Sequence, residues 1–177
     1  ANNYLVTDVE SNEAVLIDCS DSNSDFIDAI KNSGVQLKYI LLTHGHFDHI
    51  LGVEKFQSTF GVDTYMAKED EEQVEAAPEM IRYFSGKEIS KLAKITHFVK
   101  DGDEFFIGKT KIKAISTPGH TQGGMCYLVG EKDLFSGDTL FFRSVGRTDF
   151  PGGNFASIKK SVKDVLFKLS GDVVVHP

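Results

Sequence analysis

Three imidazoles and a carboxylate fall within six residues at His44-Gly45-His46-Phe47-Asp48-His49, directly after the apolar run Lys38-Tyr39-Ile40-Leu41-Leu42. A chain carrying this segment is expected to end a buried strand in a loop whose polar side chains converge. On a regular strand or helix these groups would diverge. A tight turn at Gly45 can aim His44 and His46 at one point, and Asp48 and His49 at a second point nearby. Neutral imidazole and carboxylate are ligands that zinc, iron and manganese accept. Three of the six histidines lie in this loop, a clustering that a polar surface loop or a helix cap does not require.

Around that loop the pattern alternates. Tyr4 to Val9 and Ala14 to Asp18 read as a hairpin about the turn-forming Glu10-Ser11-Asn12-Glu13. Residues 25–33 place Phe26, Ile27 and Ile30 at helical spacing and stop at Gly34. Leu51 to Phe60 reads as a helix with Val53, Phe56 and Phe60 inward, so the histidines sit at a strand–loop–helix junction. Val62 to Met66 is a strand, the acidic Lys68 to Glu75 a solvated helix, and Pro78 opens a further helix through Phe84. Ser85 to Lys94 is read as a surface excursion.

In the second half, Glu104 to Ile107, Lys111 to Ser116, Met125 to Val129 and Leu134 to Ser136 are strand candidates, divided by turn-forming residues. Asn154 is expected to cap a helix with the stripe Phe155, Ile158, Val162, Val165, Leu166 and Leu169, ended by Gly171 before the strand Val173-Val174-Val175. Two β-rich halves, each bordered by helices, predict an α+β arrangement of stacked sheets with helices outside.

A length of 177 residues with 41% apolar and 25% charged composition is that of one globular domain, expected over residues 1–177. No apolar run is long enough for a membrane span, and no basic flank leads into a signal core. The net charge is −7 and the cations are scattered, which argues against a nucleic-acid partner. Cys19 and Cys126 lie at the end of one apolar run and inside another, so buried thiols and a reducing cytoplasm are expected. Oligomeric state is left open.

Two later segments carry further candidates, Thr117-Pro118-Gly119-His120-Thr121 and Ser136-Gly137-Asp138-Thr139-Leu140, each after a predicted strand. With His44-x-His46-x-Asp48-His49 ahead of them, they make the chain resemble the metallo-β-lactamase superfamily. The likeness covers nearly the whole length. It is closest to the glyoxalase II-like, or hydroxyacylglutathione hydrolase-like, branch through Thr117 to Gly124 and Gly137-Asp138-Thr139-Leu140-Phe141.

That resemblance implies a four-layer αββα sandwich of two mixed sheets and a binuclear site for two divalent metal ions, zinc first, with iron or manganese as alternatives. Site one would use His44, His46 and His120, site two Asp48 and His49, and Asp138 would bridge. The family's further site-two histidine follows a late Pro-Gly, so it is expected beyond Pro177. The chain is accordingly expected to be truncated at its C-terminus, and at its N-terminus, where a strand-like segment follows Ala1 at once. His176 precedes the proline and is not expected to be a ligand. His97 matches no motif.

The implied chemistry is hydrolysis of a small-molecule thioester such as S-lactoylglutathione by metal-bound hydroxide, with Asp48 as the catalytic acceptor of that hydroxide's hydrogen bond. No Gly-x-Ser-x-Gly or activated cysteine offers covalent catalysis instead. Gly123-Gly124 and Gly152-Gly153 read as turns or close packing rather than a phosphate loop. Glyoxalase II proper has Gly-Lys-Phe-Tyr where this chain has Gly146-Arg147-Thr148-Asp149. Arg147 is the candidate substrate contact, and a structural ion pair with Asp149 is its alternative. The Gly-Arg-Thr-Asp-Phe segment also resembles the persulfide dioxygenases, which use one iron held by two histidines and an aspartate. A binding module of the same fold without metals is a third reading, and a β-lactamase is disfavoured because its usual cysteine stands here as Asp138.

Overall fold

Strand β2 (Glu13–Ile17) decides how the layers stack. Ala14 and Leu16 point to one face, Val15 and Ile17 to the other, and all four are fully buried. A strand dry on both faces belongs inside a sheet covered on both sides. The sheet around it has five strands in the order β1 (Tyr4–Asp8), β2, β3 (Gln36–Leu41), β4 (Asp63–Ala67) and β5 (His97–Val99). β1 runs antiparallel to β2, and the remaining pairs are parallel. The computed structural model describes residues 1–20, 23–86, 88 and 93–177.

The second sheet is ordered β12 (Val174–His176), β9 (Asp133–Phe135), β8 (Met125–Val129), β7 (Thr110–Ser116) and β6 (Glu104–Ile107). Its pairs are antiparallel except that of β12 with β9. A short hairpin of β10 (Leu140–Phe141) and β11 (Ser144–Val145) stands apart. Between the sheets Val15, Ile17 and Leu41 meet Ile112, Ala114 and Tyr127. Outside the first sheet, Leu16, Ile40 and Leu42 pack with Ile27 and Ile30 of α1 (Ser24–Ser33) and Phe56 of α3 (Val53–Phe60). Outside the second, Ile115, Cys126 and Leu128 receive Val162 and Leu166. Alternate residues of single strands therefore feed different layers, and the αββα order follows from that period of two. Each fully buried aliphatic side chain contributes roughly 1.5–3 kcal/mol to this stacking.

Several elements depart from the sequence expectation. Lys68 to Glu75 and Pro78 to Phe84 are one helix, α4 (Glu71–Ser85), entered through a 3₁₀ turn at Lys68–Asp70. Pro78 removes one backbone bond. The helix continues because Val74, Ala77 and Ile81 are buried at helical spacing. Asp70, read as solvated, has no exposed surface. The cap at Asn154 is present, its side chain accepting from the Ser157 N–H at 2.9 Å. It opens α5 (Phe155–Lys160), which passes into a π turn and a 3₁₀ turn ending at Lys168. Phe155, placed in the apolar stripe by sequence, is 64% exposed. Both cysteines are buried thiols, as expected. Within the polar stretch 85–94, residues 87 and 89–92 lie outside the described residues.

Candidate metal centre

β3 delivers Leu41 and Leu42 into the core, and the next residues turn away from the sheet. What holds that turn is Asp18, directly after β2. Its Oδ1 accepts the Thr43 N–H at 2.7 Å, and its Oδ2 accepts the Thr43 hydroxyl at 2.7 Å. The same Oδ2 lies 2.8 Å from Nδ1 of His49, which begins to close the one-turn helix α2 (Phe47–Ile50).

These bonds settle which ring nitrogen of His44, His49 and His120 turns inward, that of His120 meeting His46 Nδ1 at 2.9 Å. Thr43 has a single hydroxyl proton and gives it to Asp18, so in its 3.0 Å contact with His44 Nδ1 the ring donates. His120 Nδ1 donates to the backbone carbonyl of Arg147 at 2.8 Å, since a carbonyl only accepts. His49 uses Nδ1 toward Asp18. In each ring the Nε2 is left facing inward, a common way of orienting metal-binding imidazoles.

The inward-facing atoms converge. The ligand atoms of His44, His46 and His120 lie within 4.8 Å of one another, as do those of His44, His49 and Asp138. The His44 ring is 4.8 Å from that of His46, 4.8 Å from that of His120 and 4.0 Å from that of His49. Asp138 spans the two groups, with Oδ1 3.4 Å from His49 Nε2 and Oδ2 3.4 Å from His120 Nε2. His44 thus belongs to both groups, whereas the sequence assigned it to the first alone. Asp48 stands at the rim, about half exposed, with Oδ2 3.8 Å from His49 Nε2, and joins neither group of three.

The donor set fits a divalent cation. Nε2 of His44 and of His49 are buried and have no hydrogen-bond partner among the described residues. Leaving such an atom unmatched costs about 1–3 kcal/mol, which coordination would remove. Burial and the neighbouring imidazoles hold the His44 ring far below its ordinary pKa, and the same causes bring His46 down to about 4. Both are neutral imidazoles at pH 7. For His49 burial also disfavours charge, but Asp18 and Asp138 outweigh it and raise its pKa to about 10. A cation at its Nε2 would take the place of that proton. Burial raises the Asp138 carboxyl, and the close approach of the His49 imidazole, with His120 and His46 beyond it, more than reverses this, leaving it below the usual range.

Arg147 contributes its carbonyl to His120, while its guanidinium pairs with Asp149 through two bonds of 2.7 Å and lies 3.8 Å over the Phe150 ring. The ion-pair alternative is the geometry present. His176 turns to Asp133 at 2.8 Å and stacks on Phe135, and His97 stacks on Tyr65. Both lie outside the two groups. Sequence reading missed Asp18 and Asp70. Asp18 carried a signal, a carboxylate ending a wholly apolar strand. Asp70 carried none, because its helix reads as acidic and solvated.

Residues 1–176 match the family described as the metallo-β-lactamase superfamily. The chain belongs to that superfamily. Among its relatives is the hydroxyacylglutathione hydrolase GloC of Haemophilus influenzae, 31% identical over 98% of this chain and 82% of that protein. Similar solved structures include the B3 metallo-β-lactamase BLEG-1, with a TM-score of 0.87 at 30% identity, covering 98% of this chain and 84% of the other. TTHA1623 in a di-iron-bound form gives a TM-score of 0.87 at 31% identity over 99% and 85% of the two chains. ETHE1 from Myxococcus xanthus gives 0.79 at 27% identity over 99% and 68%. Membership brings this chain into a superfamily of metallo-hydrolases that bind divalent metals. Among the described residues no helix is long and apolar enough to cross a membrane.

Proposed function

We propose that this chain hydrolyses a small-molecule thioester of the acyl-glutathione kind, S-lactoylglutathione being the first candidate, with two divalent metal ions held by His44, His46, His120, His49, Asp48 and Asp138. The observation that carries the reading is the shared carboxylate. Asp138 lies between His49 Nε2 and His120 Nε2 at 3.4 Å from each, a posture suited to bridging two cations rather than serving one. The hydroxyacylglutathione hydrolase relative supports the thioester.

When bound, the cations supply a water that ionises near neutral pH and an electrophile for the thioester carbonyl. The chain's own groups do the rest. Asp18, the Thr43 hydroxyl and the Arg147 carbonyl fix three imidazoles by their Nδ1 atoms, so the site needs no reorganisation as charge develops. Asp48, at the rim, accepts the proton side of the attacking water and keeps its lone pair on the scissile carbon. Expulsion of thiolate then completes hydrolysis.

A second reading, a mononuclear-iron persulfide dioxygenase, draws on the Gly146–Phe150 segment, whose Arg147 carbonyl orients His120. Metal analysis, S-lactoylglutathione hydrolysis and oxygen uptake with glutathione persulfide on one preparation separate the two. About two metals per chain with thioester turnover is expected. One iron with oxygen uptake supports the dioxygenase, and absence of bound metal overturns both.

A further inference from the structure

Asp70 has none of its surface exposed, and it stands between the two loops that carry the three-histidine group. Its Oδ2 accepts the Gly45 N–H at 2.9 Å and the Thr121 hydroxyl at 2.7 Å, and its Oδ1 accepts the Gly123 N–H at 2.6 Å. Gly45 separates His44 from His46, and Thr121 follows His120. One carboxylate therefore ties together stretches of chain that are distant in sequence, and each supplies imidazoles to the same point. All three bonds go to the loops rather than to the rings. A charged acceptor makes such bonds shorter and about twice as strong as a neutral one.

The fit is tight on the first loop. A Cβ at residue 45 would lie 2.8 Å from the Asp70 carbonyl oxygen and 3.2 Å from the Asp70 Cβ. Only glycine lets the backbone between the two histidines approach this closely. His49, which belongs only to the other group, is anchored separately by Asp18, while His44 is shared by both groups.

We propose that Asp70 is a positioning residue that sets the distance between the His44–His46 loop and the His120 loop, and thereby the metal affinity of that group. The inference rests on the reading of these histidines as a metal site. Coordination tolerates little error in ligand placement, and loss of a residue that orients ligands typically weakens metal binding about 10- to 100-fold.

Cobalt(II) alone, titrated into the metal-free full chain and followed by its visible absorption, tests this. Asp70→Asn is expected to weaken one cobalt equivalent about 10- to 100-fold and to leave the other within a few-fold. Asp18→Asn, which loosens His49, is expected to weaken the equivalent that uses His49. Thr121→Val keeps the buried charge and removes one bond, so several-fold weakening there shows that placement, not charge alone, is at work. Parental affinity in both Asp70→Asn and Thr121→Val overturns the proposal. Should Asp70→Asn fail to fold, Thr121→Val decides alone. No cobalt uptake by the unaltered chain overturns the metal reading itself, and this inference with it.

Discussion

Asp18 Oδ2 lies 2.8 Å from His49 Nδ1, with both side chains about 4% exposed, so the end of β2 is bonded to the far end of the histidine loop. Asp18 also accepts from the Thr43 N–H and the Thr43 hydroxyl. Replacing it with alanine strands three buried donors, and breaking a buried pair of this kind costs about 3–5 kcal/mol. Denaturant unfolding of the metal-free chain should show that loss for Asp18→Ala. Asp18→Asn should lose less, because asparagine keeps an acceptor and tolerates the left-handed φ of 57° found there.

Gly146 passes against the backbone of Asp138. A Cβ there would stand 1.8 Å from the Asp138 carbonyl oxygen and 3.1 Å from His120 Nδ1. Gly146→Ala must therefore move Asp138 or His120, and a metal titration should show at least about tenfold weaker binding. Gly171→Ala, whose added Cβ meets nothing within 4 Å, should bind metal as the parent does.

Arg147 reaches His120 through its carbonyl, while its side chain forms an exposed pair with Asp149. Exposed pairs contribute little to stability. Arg147→Ala should leave both the metal stoichiometry and the thermal midpoint unchanged. A raised KM at unchanged kcat would then assign the guanidinium to substrate binding.

Cys126 is fully buried, and burial raises its thiol from 9.0 to about 11 despite contacts with the Thr117 and Thr139 hydroxyls. Below pH 9 the thiol is protonated in both folded and unfolded chains, and its contribution to stability is complete. Between pH 9 and about 11 the unfolded chain releases the proton first, so stability falls as pH rises, by about 2–3 kcal/mol. Unfolding curves across that range should show the decline, and Cys126→Ala should flatten it. Alkylation of Cys126 in the native chain at pH 8 should be negligible on the time scale of labelling a free thiol.

Much of the architecture is legible locally. The apolar run Ala14 to Ile17, the cap at Asn154, and the strand running into Thr43 are patterns of neighbouring residues, and propensity and periodicity report on neighbours. Pro78 misled because proline more often opens a helix than sits within one. The packing of Val74, Ala77 and Ile81 overrode that preference. Phe155 misled in the opposite sense, since a residue at the start of an apolar stripe can lie beyond the surface its helix covers.

The candidate site divides the same way. Residue types and order alone select His44, His46, Asp48, His49, His120 and Asp138, because few other roles call for three imidazoles in one loop. The ring nitrogen that His44, His49 and His120 each turn inward depends on Asp18, on the Thr43 hydroxyl that Asp18 holds, and on the Arg147 carbonyl. The same holds for Asp70, which reads as one more acid on a solvated helix until the second sheet brings Thr121 and Gly123 to it. Sequence by itself determined the candidate ligand types and the strands that carry them. Tertiary structure decided their orientation and sharing, because a hydrogen bond between distant segments leaves no local trace in residue order.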